Sequence, residues 1–216
     1  MTGVFAGFAA VILASLPLQA QERTIAALGD SLTQGFGLPP EDGFVPQLQR
    51  WLDDQGVEVR LINAGVSGDT TAGGLARVAW TLTPEVDGMM VALGGNDMLR
   101  GVEPASARAN LDGIMLAAED AGVDVLIVGM SAPSNFGPAY KAEFDAIYPD
   151  LAEGYGALLV PGFFDGLSDG APLTPAAAAP WMQADGIHPN AEGVAKIVAH
   201  IGPRVLELIA KIHGQD

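Results

Sequence analysis

The sequence predicts an α/β fold in which a parallel sheet is flanked by helices. Two observations carry this. From Thr24 onward, short apolar runs alternate with longer segments of helical period, the pattern of repeated strand–helix units. The first three runs each end in a polar, glycine-bearing turn, and open sheets of this class bind ligands beyond the carboxyl ends of their strands.

Taken in order, the strand candidates are Ile25 to Leu28, Val57 to Asn63, Met89 to Leu93, Val123 to Met130 and Ala157 to Val160. Between and after them the period predicts helices over Val45 to Gln55, Thr71 to Leu82, Ala105 to Ala121, Ala139 to Tyr155 and Ala191 to Ile212. In the last of these, Val194, Ile197, Val198, Ile201, Val205, Leu208, Ile209 and Ile212 fall on one stripe, which reads as a core face. The stretch from Gly162 to Pro180 is rich in Gly, Pro and Ala and lacks periodicity, so it reads as an excursion loop, equally suited to walling a pocket or lying on the surface.

The N-terminus is an uncharged apolar run from Val4 to Leu18, ending in a Pro and a small residue. That is the pattern of a secretory signal peptide over residues 1–20, cleaved after Ala20, and it is short for a membrane span of about 20 residues. No Lys or Arg precedes the run and Leu18 stands where a small residue is commoner, so an uncleaved apolar anchor or leader is the alternative. Residues 21–216 are then one domain of average size, outside the cytoplasm. The net charge of −16, from 26 acidic and 10 basic side chains, argues against a nucleic-acid partner and against anionic membrane surfaces. With no cysteine there is no disulfide, no thiolate nucleophile and no Cys-ligated metal.

The three turns are Gly29-Asp30-Ser31, Ala64-Gly65-Val66-Ser67-Gly68-Asp69 and Gly94-Gly95-Asn96-Asp97. A serine hydroxyl becomes a nucleophile only when a base takes its proton, and that base needs a partner to fix its tautomer. Of the three histidines, His200 and His213 lie on or beside the final helix with nothing catalytic adjacent, and read as surface or capping groups. His188 stands in Asp185-Gly186-Ile187-His188-Pro189-Asn190, where one tight turn brings Asp185 to its Nδ1 side. Pro189 is expected to start the last helix. For an oxyanion, the candidate donors are the backbone N–H groups of Ser31 and Gly65 and the side-chain amide of Asn96.

These blocks, in this order and nearly spanning the mature chain, resemble the GDSL or SGNH hydrolases, named for a Ser, Gly, Asn and His in separate blocks. Gly29-Asp30-Ser31-Leu32 is similar to the first block, Gly65 to the second, Gly94-Gly95-Asn96-Asp97 to the third and Asp185-Gly186-Ile187-His188-Pro189 to the last. Leu93 to Gly101 and Ile147-Tyr148-Pro149 are most similar to the bacterial arylesterase and thioesterase I branch, periplasmic enzymes also described as lysophospholipases. The resemblance implies a flavodoxin-like three-layer αβα sandwich with a five-stranded parallel sheet of order 2-1-3-4-5. It implies Ser31 as nucleophile, His188 as general base then acid and Asp185 as its orienter, acting on carboxylic esters or thioesters without metal or organic cofactor.

Other readings are weaker. The Gly-x-Ser-x-Gly elbow of α/β-hydrolases is absent. Asp30, Asp69 and Asp97 follow strands as in a Mg²⁺-dependent phosphatase, but that leaves Asp185 and His188 unexplained; a secreted binding module makes the whole set a coincidence. A carbohydrate acetylesterase of the same family is the enzymatic alternative. Met98, Leu99, Phe136, Trp181 and Ile187, on loops near these blocks, are the candidate acyl-binding residues, with core contacts the competing role for each.

Overall fold

A computed structural model describes residues 23–168, 170 and 173–214; the leader expected over residues 1–20 lies outside them. Five parallel strands run β1 (Arg23–Gly29), β2 (Val59–Gly65), β3 (Gly88–Ala92), β4 (Asp124–Val128) and β5 (Leu158–Val160), in the spatial order β2-β1-β3-β4-β5. That is the order the resemblance implied. β1, β3 and β4 are buried almost throughout because helices cover both faces, which is why they read as unbroken apolar runs. The edge strand β2 is only partly covered and its sequence is mixed.

On one face, α2 (Phe44–Asp54) packs against α9 (Ala191–His213); on the other, α3 (Thr71–Thr81) packs against α5 (Pro104–Asp120), followed by α6 (Pro138–Asp145) and α7 (Ile147–Tyr155). The predicted stripe of α9 is buried at all eight positions. Gly202 on α9 faces the Trp51 ring of α2, which would lie 2.6 Å from a Cβ placed there. The two helices close on each other because that side chain is missing.

Three expectations change. The segment Ala139 to Tyr155 is two helices, broken at Ala146. Pro149 has no N–H for the Asp145 carbonyl and its ring crowds that group, so the ladder cannot continue. The final helix does not start at Pro189. Asn190 is its N-cap, with Oδ1 accepting the Gly193 N–H at 2.9 Å, while Pro189 forms an isolated antiparallel bridge with Met182. The excursion from Gly162 carries order of its own. Phe163 and Leu167 enter the core, and Thr174 caps the short α8 (Pro175–Ala178).

Two further short helices went unpredicted and both matter to the site: α1 (Ser31–Gln34), directly after β1, and α4 (Gly95–Leu99), directly after β3. Among the described residues, no helix is long and apolar enough to cross a membrane.

Candidate active site

Ser31 is the first residue of α1, delivered by the turn out of β1. Asp30 caps this helix, its Oδ1 accepting the Leu32 N–H at 3.0 Å. The glycine at 29 lets α1 fold back against the sheet, since a Cβ there would lie 2.0 Å from Thr33 Oγ1 and 3.0 Å from the Ala92 carbonyl. Arg77 on α3 ties the neighbouring strand ends together. It donates to the carbonyls of Gly29 (2.8 Å) and Ala64 (2.7 Å) and to Asp69 Oδ2 (2.7 Å).

His188 reaches Ser31 across 157 residues: its Nε2 lies 2.8 Å from Ser31 Oγ. Its Nδ1 lies 2.7 Å from Asp185 Oδ2, while Asp185 Oδ1 accepts the N–H groups of Ile187 (2.9 Å) and His188 (3.0 Å). The predicted turn therefore forms, with Gly186 at φ +67 allowing it. The His188 ring and the two backbone N–H groups hold the Asp185 carboxyl down at about 2, so it stays ionised at neutral pH. Chemically, this is a hydroxyl beside a base whose tautomer is fixed from behind.

Asn96, on α4, donates through Nδ2 to the Asp69 carbonyl at 2.9 Å and to Asp30 Oδ2 at 3.2 Å. Asp30 is only 2% exposed, and burial pushes its carboxyl up to about 6 despite the Leu32 and Asn96 donors. Asp97 braces α4 against the start of α3, accepting from Thr71 N–H (2.9 Å) and Oγ1 (2.6 Å). The Asp30 and Asp97 carboxylates thus cap and brace, and among the described residues no group of three or more acidic or imidazole side chains is placed to hold a metal.

The Gly65 N–H, the predicted oxyanion donor, is engaged elsewhere in this structure. The Val66 N–H crosses to the Gly29 carbonyl, so the Gly65 N–H, one residue earlier, points the other way, off the open edge of the sheet. There it donates to Asn63 Oδ1 at 3.0 Å. Its glycine serves packing instead: a Cβ would lie 2.3 Å from the Gln34 nitrogen, on α1. Three residues on, Gly68 sits at φ +79 with its N–H donating to nothing among the described residues, and the Ser31 N–H is likewise unengaged. Arg100, following α4, donates to the Gly68 carbonyl at 2.8 Å and so joins this turn to the helix of Asn96.

Among the apolar candidates, Leu99, Phe136 and Ile187 are about half-exposed, whereas Met98 and Trp181 pack against the core. Trp181 also carries Lys196 Nζ over its ring, 4.6 Å from the centroid. A van der Waals partner is what claims each. Phe36 was missed. It is half-exposed and its ring lies on His188, centroids 4.5 Å apart; its only sequence signal is an aromatic residue between Gly35 and Gly37, five residues after Ser31.

Residues 27–196 match the GDSL-like Lipase/Acylhydrolase family. The chain belongs to that family. Esterase TesA of Pseudomonas aeruginosa is 36% identical over 207 residues, 95% of this chain and 98% of that protein. The arylesterase of Vibrio mimicus is 36% identical over 187 residues (84% and 88%), and thioesterase 1/protease 1/lysophospholipase L1 of Escherichia coli K12 is 36% identical over 169 residues (77% and 76%). Among solved structures, the SGNH-hydrolase family esterase AlinE4 is 42% identical with a TM-score of 0.70, covering 88% of this chain and 97% of its own. The psychrotrophic esterase EstA from Pseudoalteromonas sp., inhibited by monoethylphosphonate, is 28% identical with a TM-score of 0.78, covering 87% and 99%. As a GDSL-family protein the chain is a serine ester hydrolase acting on small-molecule esters.

Proposed function

We propose that Ser31 is the nucleophile of a two-step acyl transfer in which His188 is the base, then the acid, and Asp185 holds the imidazole. The observation that carries this is the unbroken chain of two hydrogen bonds, 2.8 Å from Ser31 Oγ to His188 Nε2 and 2.7 Å from His188 Nδ1 to Asp185 Oδ2. In the first step Oγ bonds to the acyl carbon as its proton passes to Nε2, and the carbonyl electrons collect on oxygen. Collapse of that intermediate breaks the bond to the alcohol or thiol, which leaves with the proton from Nε2. Water then repeats the sequence on the acyl-serine and releases the acid.

The oxyanion is held by the Ser31 N–H, the Asn96 amide and a third donor, which we assign to the Gly68 N–H in place of Gly65. Both backbone groups are unengaged, and the longer of the two Asn96 bonds, the one to Asp30, is the one that yields to the developing charge.

The substrate reading is carboxylic esters and thioesters with apolar acyl or aryl groups. The half-exposed Phe36, Leu99, Phe136 and Ile187 offer apolar contact near the turns that bear the site, and the relatives' names include arylesterase, thioesterase and lysophospholipase. Residues 21–216 act as one domain, released by removal of the leader into the periplasm or the medium, with neither metal nor organic cofactor. A charge of −16 keeps nucleic acids and anionic bilayers from being partners.

A panel of p-nitrophenyl esters of increasing acyl length, one acyl-CoA and one acetylated sugar, run with wild type and Ser31→Ala, tests this. Turnover of the esters and the acyl-CoA by wild type alone is expected. Turnover of the acetylated sugar alone would replace the substrate reading by a carbohydrate acetylesterase, and no turnover at all would end it.

A further inference from the structure

We propose that Gln183 is a positioning residue: its carboxamide latches the turn that carries His188 to the segment that carries Ser31, and so sets the approach of Nε2 to Oγ. This rests on the reading of Ser31 and His188 above. Ser31 is held by the sheet, but His188 belongs to a turn whose residues 184–187 are exposed and which is pinned at its base by the Met182–Pro189 bridge. Asp185 orients the imidazole relative to that turn. It does nothing to place the turn relative to Ser31.

Among the described residues, only two side-chain hydrogen bonds join residues 182–190 to residues 31–38. One is the reacting pair itself, and the other runs from Gln183 Nε2 to the Phe36 carbonyl at 2.8 Å, between residues 147 apart. The same Nε2 donates to the carbonyl of Pro189, the neighbour of His188, at 3.0 Å. One NH₂ group thus spans both backbones, which needs two hydrogens on one atom and suits a carboxamide but not a carboxylate. Gln183 is also part of the turn it latches, because its N–H donates to the His188 carbonyl at 2.8 Å and its carbonyl accepts the Gly186 N–H at 3.0 Å.

The far side of the latch is shaped to receive it. A Cβ on Gly37 would stand 2.3 Å from Gln183 Oε1, so only glycine leaves room for the amide there. Phe36, whose carbonyl is engaged, lies against the His188 ring, so the latch holds the residue that backs the imidazole as well. Loss of about 1 Å in such an approach costs turnover by up to about 10²-fold while leaving ground-state binding intact.

The test measures kcat, KM, thermal midpoint and the rate of Ser31 phosphonylation for Gln183→Ala, Gln183→Glu, Gly37→Ala and Gln183→Ala/Gly37→Ala. Gly56→Ala, at φ +74 with nothing within 4 Å, controls for backbone strain alone. The latch predicts kcat down about 10- to 100-fold in both Gln183 variants, phosphonylation slowed alike, and KM within about twofold. Gly37→Ala should lose a similar factor, Gly56→Ala should lose none, and the double variant should fall no further, since both changes break one contact. A kcat per folded molecule within about twofold of wild type, a loss carried by KM, or losses that multiply in the double variant would each overturn the latch. Ser31→Ala is run alongside: if it kept full activity the underlying reading would fall, whereas an inactive Ser31→Ala beside unaffected Gln183 variants refutes the latch alone.

Discussion

Replacing Asp30 with Asn is expected to make the folded protein more stable at neutral pH and to remove a pH dependence from its unfolding. Asp30 is 2% exposed, and burial lifts its carboxyl from the ordinary 3.8 to about 6, against the lowering contributions of the Leu32 N–H, the Asn96 amide and His188 and with a further raise from Asp69. Keeping the carboxylate charged in the fold therefore costs about 3 kcal/mol above pH 6. Between about pH 4 and pH 6 the folded state holds a proton that the unfolded chain has lost, so wild-type stability falls as pH rises through that window and is level above it. Asn carries no charge, but its single side-chain oxygen can serve either the Leu32 N–H or Asn96 fully, not both, a loss of about 1 kcal/mol. The variant should then be about 2 kcal/mol more stable at pH 8, an increase of about 4–8 °C in Tm for a domain of this size, and lose that advantage near pH 4. Thermal unfolding of both proteins at pH 4, 6 and 8 reads this directly. An Asn variant no more stable than wild type at pH 8, or an offset that does not change with pH, would show that Asp30 is not a desolvated carboxylate.

Two other substitutions separate catalysis from packing. Asn96→Ala should lower kcat for a p-nitrophenyl ester by about 10²–10³-fold, the loss of one oxyanion donor, with labelling of Ser31 slowed but not abolished. Gly65→Ala forces a methyl against the Gln34 backbone of α1, so it should cost about 1–3 kcal/mol in chemical denaturation and displace Ser31; an alanine variant of wild-type stability would contradict the packing role given to Gly65.

Apart from the strand order and the Ser31–His188 partnership, which the family resemblance implied, what could be read from sequence was whatever is local. β1, β3 and β4 announce themselves because two-sided burial makes their sequences continuously apolar, and the α9 stripe because one face is buried at helical period. Asp185 and His188 share one turn, so their spacing was enough to pair them. The misreadings involve contacts between distant segments or competition between neighbours. The direction of the Gly65 N–H depends on how β2 pairs with β1, which no property of residues 64–69 encodes. Gln183 reaches a carbonyl 147 residues away and Phe36 stacks on a ring brought in by the fold. Met98 and Trp181 were indistinguishable from Leu99 and Ile187 until packing assigned each a side. At the α9 start, Asn190 outcompeted Pro189 because its side chain can accept the Gly193 N–H.

In the proposed acyl transfer Ser31 Oγ is the atom that attacks. Incubating the wild-type protein with a phosphonofluoridate and mapping the adduct by peptide mass spectrometry is the most direct measurement of that claim. One phosphonyl group per chain on the peptide containing Ser31, appearing in step with loss of esterase activity and absent from Ser31→Ala, is the predicted result. Inactivation with the label on another residue, or full esterase activity in Ser31→Ala, would contradict it.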